Sequence, residues 1–362
     1  MNVLLDNIIF AIQKSGGVSV VWFEFLKRLL NESEINTFFR DCGSGNLYRS
    51  KIDIPNESII GNNSFPLVEK YFPINVRSDA SFIYHPSYYR YCSNPNAINV
   101  TTVHDFTYEY YREGLAKWIH CWQKYRAIRH ADAIVCISEN TKSDLMRFLP
   151  DVDSNKLYVI YNGVSEDYYV IEGKADASLP FPVGSYVVFV GSRGGYKNFD
   201  LVIRTLAKSD YNLIIVGPQL SAEEEKRVRQ YIPTSRYKSV GFLPNSELNI
   251  VYNCAAALVY PSSYEGFGLP VLEAQRAGCP VIAYNASSIP EVIGETPLLM
   301  SHLTEQELLV KLEMLKDKEL VEEVINKGLL NSKRFSWDKM YQEYLELYKE
   351  VWKKIINNNR VI

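Results

Sequence analysis

At 362 residues, with 47% hydrophobic and 22% charged side chains, the chain has the composition of a soluble globular protein and the length for two cores, which excludes disorder and a single small domain. A net charge of −3 gives no electrostatic ground for binding nucleic acid, and no apolar run is long enough to span a bilayer. The amino terminus lacks a signal peptide's charged region and cleavage site, and the six cysteines show neither CxxC nor metal-type spacing, so they read as reduced thiols of a cytosolic protein.

In chain order, a strand over 2–5 leads to Gly16-Gly17 and an apolar-periodic helix carrying Val21, Trp22, Phe25, Leu26 and Leu29. Strand, Gly-Gly and helix make either a ligand-facing turn or a plain one. The long strand-to-glycine distance gives residues 8–14 the look of a flap. Over 34–79 only a strand at 35–39 can be placed. A strand over 81–85 then ends in His85-Pro-Ser-Tyr88-Tyr89, and one over 98–103 ends in His104-Asp105. Two such ends in a parallel sheet point at one crevice, although a His there is as often structural. A zinc site from His85, His104 and Asp105 lacks a third clear ligand.

The helix predicted over 115–130 carries Trp118, Trp122 and Tyr125 on one side, with Lys117, Lys124, Arg126 and Arg129 around it. Core packing explains that stripe better than contact with an anionic membrane. Ser138 follows the strand over 133–136 as a helix cap and candidate cleft residue. Asp151-Val-Asp153, between a helix end and the strand over 157–160, reads as a solvated loop rather than a metal motif, and 165–184 as a linker.

The second half opens with a strand over 186–190 that ends in Gly191-Ser-Arg193-Gly-Gly-Tyr-Lys197-Asn198 ahead of a helix. Two cations on a glycine-rich turn suit a diphosphate, Arg as a planar fork and Lys as a point charge, with a solvated basic turn as the plain alternative. A strand over 213–216, a helix opened by the capping box Ser221-Ala-Glu-Glu224, and a strand over 238–240 before Gly241-Phe242-Leu243 come next. The strand over 255–260 runs into a loop carrying Glu265-Gly266-Phe267-Gly268, and a helix then starts at Leu269 or Pro270 and includes Glu273. Its glycines permit close backbone approach, and the helix start offers free N–H groups to an anion. A structural turn with Glu273 complementing the helix dipole is the alternative. Further β and α segments alternate to the end, so the fold class is α/β, with two doubly wound parallel sheets.

Glu265 and Glu273, separated by seven residues that contain Gly-Phe-Gly-Leu-Pro, resemble the paired-glutamate signature of the retaining GT-B glycosyltransferases of family 4. The resemblance covers nearly the whole chain and is strongest over 186–291. It implies a GT-B fold of two Rossmann-like domains facing across a cleft. One is an acceptor-side domain over 1–170, onto which a C-terminal helix at 337–362 crosses back, and the other a nucleotide-sugar domain over 171–336. Glu265, His104, Arg193 and Lys197 are then catalytic, the two cations neutralising the leaving β-phosphate. Glu265 and the loop Gly266, Phe267, Gly268 and Leu269 would contact the sugar, Glu273 the ribose, and the backbone of Phe242 and Leu243 the base. Gly16 and Gly17 would lie over the donor phosphates, and His85, Tyr88, Tyr89, Asp105 and Ser138 on the acceptor side.

No metal and no other cofactor is expected. The motifs His85-Pro-Ser-Tyr-Tyr, His104-Asp105 and Gly-Ser-Arg-x-x-Tyr-Lys-Asn look most like bacterial mannosyltransferases of surface polysaccharide, which implies GDP-mannose, with a UDP-hexose as the alternative donor. The implied acceptor is a glycan on a lipid diphosphate at the inner membrane face. A non-catalytic nucleotide-sugar-binding subunit and a sugar-nucleotide epimerase of the same fold stay open as other readings.

Overall fold

Short runs of Val, Ile, Leu and Phe that are apolar on both faces form strands buried in parallel sheets. The computed structural model, which describes residues 1–42, 45–173 and 179–359, contains two such sheets. The chain divides into two compact units, Met1–Gly163 together with the C-terminal helix Trp337–Asn359, and Val164–Ser336.

The first unit holds strands β1 (Asn2–Asp6), β2 (Asn36–Asp41), β3 (Ile59–Asn62), β4 (Phe82–Pro86), β5 (Ala97–Val103), β6 (Ala133–Cys136) and β7 (Leu157–Val159). Their order is β3-β2-β1-β4-β5-β6-β7, every pair parallel. The chain walks outward from β1 to β3 and then returns to β4 on the other side of β1, where Leu5 stands level with both Phe39 and His85. The crevice beyond the ends of β1 and β4 is therefore the switch point where ligands of such sheets bind. The final helix lies on this unit, with Arg28 paired to Asp338 at 2.6 Å and the Tyr344 hydroxyl 2.9 Å from that of Thr102. The C-terminal helix thus returns to the first half of the chain, as expected.

The second unit holds β8 (Tyr186–Val190), β9 (Asn212–Val216), β10 (Tyr237–Gly241), β11 (Ala257–Tyr260), β12 (Val281–Tyr284) and β13 (Leu299–Met300), ordered β10-β9-β8-β11-β12-β13 and again all parallel. Here the switch point lies between β8 and β11, which pair through Ala257 with Val187 and Leu258 with Val188. The two loops singled out in the sequence, after β8 and after β11, leave the sheet side by side.

Several expectations need correction. Residues 8–14 are no flap: they include the helix Ile9–Ile12, and Ile8, Ile9 and Phe10 are fully buried. The expected linker begins as packed structure, because Tyr169 and Ile171 donate backbone N–H groups to Asn249 and Asn253, while 174–178 lie outside the described residues. The Trp118 and Trp122 stripe is not core: these rings are 75% and 52% exposed. Its neighbours Cys121, Gln123, Lys124, Ala127 and Ile128 form the buried face instead. Asp151 and Asp153 do form a surface loop, the first pairing with Arg129 and the second capping the short helix Ser154–Lys156.

Candidate functional site

In the second unit the chemistry gathers at the β8/β11 switch point. Lys197 ends a short turn after β8, and its ammonium pairs with the Glu265 carboxylate from the loop after β11. The Tyr260 hydroxyl lies 3.4 Å from the same ammonium. Both members of the pair are nearly buried, with side chains 11% and 13% exposed, so their charges act in a poorly solvated place.

The two loops are bound to each other by side chains whose role the sequence did not disclose. Asn198, left-handed at φ 53°, donates its amide to the Pro261 carbonyl and the Ser263 hydroxyl, each at 2.8 Å. Ser287 accepts the Glu265 N–H at 2.8 Å, and the buried Ser288 hydroxyl reaches the carbonyls of Glu265 and Phe267 at 2.9 and 2.8 Å. Ser288 reads in the sequence only as a helix start; its contacts join positions more than twenty residues apart. Gly268 then turns the chain at φ 106° into the helix Leu269–Arg276, where a Cβ would lie 2.9 Å from Ile289 Cδ1. That conformation is the one glycine supplies without strain. The helix's free amino end is thereby held on the same loop as Glu265.

Glu273 sits within that helix, its carboxylate accepting the Tyr252 hydroxyl at 3.2 Å. Burial pushes its carboxyl up to about 7, against hydrogen bonds from Tyr252 and Tyr168 that favour the ionised form. The folded protein therefore holds this proton more tightly than the unfolded chain, and ionising Glu273 costs stability as pH rises from the ordinary Glu range through about 7. The variant Glu273→Gln is expected to gain in unfolding temperature over the native chain between about pH 5 and 8. A difference that does not grow with pH would contradict the buried assignment.

Arg193 pairs with a residue of its own unit, Glu224. Its guanidinium spends Nε and Nη2 on Glu224, at 2.8 and 3.1 Å, and also donates to the carbonyls of Pro218 and Gln219. With four of five N–H donors used inside the unit, it braces the β8 turn against the capping-box glutamate, and its hydrogen bonds hold the Glu224 carboxyl down to about 2. Phe242, 70% exposed, and Leu243 follow the left-handed Gly241 at the end of β10.

In the first unit Gly16, in extended backbone, caps the helix Gly17–Leu29, and the space where a Gly17 side chain would stand is open. His85 and His104 line one small cavity with Val18, Trp22, Thr102 and Tyr344. His85 is 1% exposed, with Nδ1 2.6 Å from the Tyr348 hydroxyl and Nε2 3.0 Å from the Thr102 hydroxyl. Burial drives its imidazolium pKa down to about 3, with His104 adding to the effect. Both ring nitrogens are thus hydrogen-bonded within the first unit, to the hydroxyls of Tyr348 and Thr102.

His104 is half-buried, and desolvation lowers it to about 4 against the raising effect of Asp105. It is therefore neutral at physiological pH. The Asp105 carboxylate accepts the Thr107 N–H at 2.8 Å just ahead of the helix Thr107–Tyr111, and its carbonyl accepts the buried Lys124 ammonium at 2.8 Å. Tyr88 is partly exposed, whereas Tyr89 is buried against Lys124 and His120. Ser138 is fully buried and accepts the Thr141 N–H as a helix cap. Missed altogether was the network that fixes the ends of β1 and β4: Asp6 accepts from Arg90 at 2.6 Å, Asn63 at 2.9 Å and Tyr84 at 3.0 Å, all buried.

Among the described residues no helix is long and apolar enough to cross a membrane, and no three His, Cys, Asp or Glu side chains gather as a metal site would need.

Two family models match the chain: "Glycosyl transferases group 1" over residues 175–329 and "Glycosyltransferase Family 4" over residues 80–168. The "O-antigen chain mannosyltransferase B" of Escherichia coli is 25% identical over 312 residues, which are 78% of this chain and 80% of that protein. The "Serotype-specific mannosyltransferase WbdA" of the same organism is 27% identical over 233 residues, 59% of this chain but only 28% of that longer protein. Among solved structures, Anabaena HepE in complex with UDP-glucose superposes with a TM-score of 0.73 at 16% identity, covering 97% of this chain and 100% of that one.

Proposed function

Because the chain belongs to the group 1 glycosyltransferases of family 4 and has their GT-B fold, we propose that it moves mannose from GDP-mannose to a hydroxyl of a glycan carried on a lipid diphosphate, with retention at the anomeric carbon. The observation that carries this reading is the Lys197–Glu265 pair at the switch point, on the loop that opens the helix Leu269–Arg276. Breaking the anomeric C–O bond puts positive charge on the sugar ring and negative charge on the β-phosphate. In this proposal Lys197 and the free N–H groups of that helix take up the negative charge in a poorly solvated place, so no divalent metal is required. Glu265 turns from Lys197 to the sugar when the phosphate arrives, and the sugar-polarising role that the resemblance gives His104 belongs to its neutral form. The acceptor hydroxyl loses its proton to the departing phosphate oxygen as its own oxygen bonds to the anomeric carbon.

Glu273 takes the ribose hydroxyls, the backbone at Phe242 and Leu243 meets the base, and Gly16 and Gly17 cover the diphosphate. Tyr88 and Asp105 face the acceptor. Arg193, with its donors already used, serves by holding the β8 turn in place. Mannose is supported by the names of the Escherichia coli relatives. A UDP-hexose donor is the second reading, favoured by the UDP-glucose in HepE.

Thermal unfolding with GDP, UDP, ADP and their sugar conjugates separates these readings. A nucleotide at about 100 times its dissociation constant adds roughly 2.7 kcal/mol, a shift of a few degrees. GDP and GDP-mannose are expected to raise the transition equally with and without EDTA; a UDP-selective shift would transfer the assignment to the second donor, and no shift with any nucleotide would overturn the phosphate site.

A further inference from the structure

We propose that Gln123 and Lys124, consecutive buried residues of the helix Gly114–Arg129, are positioning residues that fix the main chain at His104 by gripping the loops that leave β4 and β5. Gln123 is 2% exposed, and its amide nitrogen donates to two main-chain carbonyls, of Lys70 at 2.5 Å and of Tyr89 at 3.1 Å. Lys124 is wholly buried. Its ammonium donates to the Asp105 carbonyl and to the Glu109 carboxylate, each at 2.8 Å, and stands 4.3 Å from the centre of the Phe106 ring.

Tyr89 joins the two grips. Its carbonyl is held by Gln123, its ring lies 5.6 Å from the Lys124 ammonium, and its hydroxyl accepts the His104 N–H. His104 is therefore fixed from both directions along the chain: its own N–H is bound to the loop after β4, and the carbonyl of the next residue is bound to the helix. With both ends of that short stretch tied, the imidazole has little freedom to shift with its backbone.

Stability alone does not call for these side chains. A buried ammonium gives up its hydration, and an interior ion pair such as Lys124 with Glu109 is often matched or bettered by apolar side chains of the same volume. What apolar side chains could not supply is direction, a donor aimed at one chosen carbonyl. A group that must meet a sugar within about half an ångström needs neighbours of that kind. The inference rests on the reading that His104 serves the transfer, and it adds the residues that hold His104 in place.

Two variants test it in the full chain. Lys124→Met/Glu109→Gln removes both buried charges with little change in volume, so the fold is expected to survive. Tyr89→Phe removes one hydroxyl and no charge. In both, kcat is expected to fall about tenfold or more, because a misplacement of about 1 Å can cost about 10²-fold, while the thermal shift with GDP stays native. The His104 ring signal in protein carrying isotope-labelled histidine, assigned by its loss in His104→Gln, is expected to move or broaden in both variants. A native His104 signal in folded Tyr89→Phe would overturn the proposal, whatever the activity. A displaced signal with native kcat would uphold the grip on His104 and refute its part in the transfer.

Discussion

Lys197→Ala is expected to lower kcat by about 10³-fold, the loss associated with removing one preorganised group that stabilises charge developing in the transition state. The ammonium is nearly buried between Glu265 and Tyr260, and no other cation contacts that pair among the described residues. Arg193 gives no substitute, because its donors are held by Glu224, Pro218 and Gln219. Removing Lys197 also leaves Glu265 as an uncompensated and poorly solvated carboxylate, so some stability is lost with the activity. The double variant Lys197→Met/Glu265→Gln separates the two effects: it removes both charges and is expected to recover the unfolding temperature without recovering turnover. Turnover recovered along with stability would make Lys197 a structural residue only.

Glu265→Gln is expected to lower kcat by about 10²-fold and to cost some stability, because it leaves the Lys197 ammonium without its countercharge while the loop fold is kept. The loop around it is held by main-chain contacts that the substitution leaves alone, the N–H on Ser287 and the carbonyl on Ser288. What changes is one charge facing Lys197 and, in the proposed reaction, the sugar. Steady-state kinetics with donor varied should show the loss in kcat more than in KM, since the interaction matters most as the anomeric carbon becomes cationic. Native kcat in this variant would remove Glu265 from the chemistry.

Most of the scaffold was legible because buried parallel strands carry a local signal. Runs such as Tyr186–Val190 and Ala133–Cys136 are apolar on both faces, and the βα turns after them are marked by Gly191 in the first case and by the helix cap Ser138 in the second. The stretch 34–79 was not legible, since its order comes from polar contacts at a distance, such as Asp41 with Arg49 and Asn63 with Asp6, and from β3, a four-residue edge strand with no fully buried residue.

At the site the same division holds. The loop with Glu265 and the helix after it could be recognised as a unit, and Lys197 was seen at the end of its turn. That Arg193 belongs to Glu224 was hidden, because the partner arrives 31 residues later from another helix, and the capping box that announced Glu224 gave no sign of a second partner. His85 likewise looked like a strand-end ligand until Tyr348, 263 residues away, took its Nδ1. The face of helix Gly114–Arg129 was assigned to the core because periodicity tells which residues share a side, not which side meets solvent.

The most direct measurement is to incubate the protein with GDP-mannose and a mannose-terminated acceptor and to follow the products by proton NMR. An α-linked mannosyl product formed one-for-one with GDP, and absent in Lys197→Ala, is the predicted result. A β-linked product would contradict retention, and an epimerised sugar nucleotide released without acceptor would contradict transfer altogether.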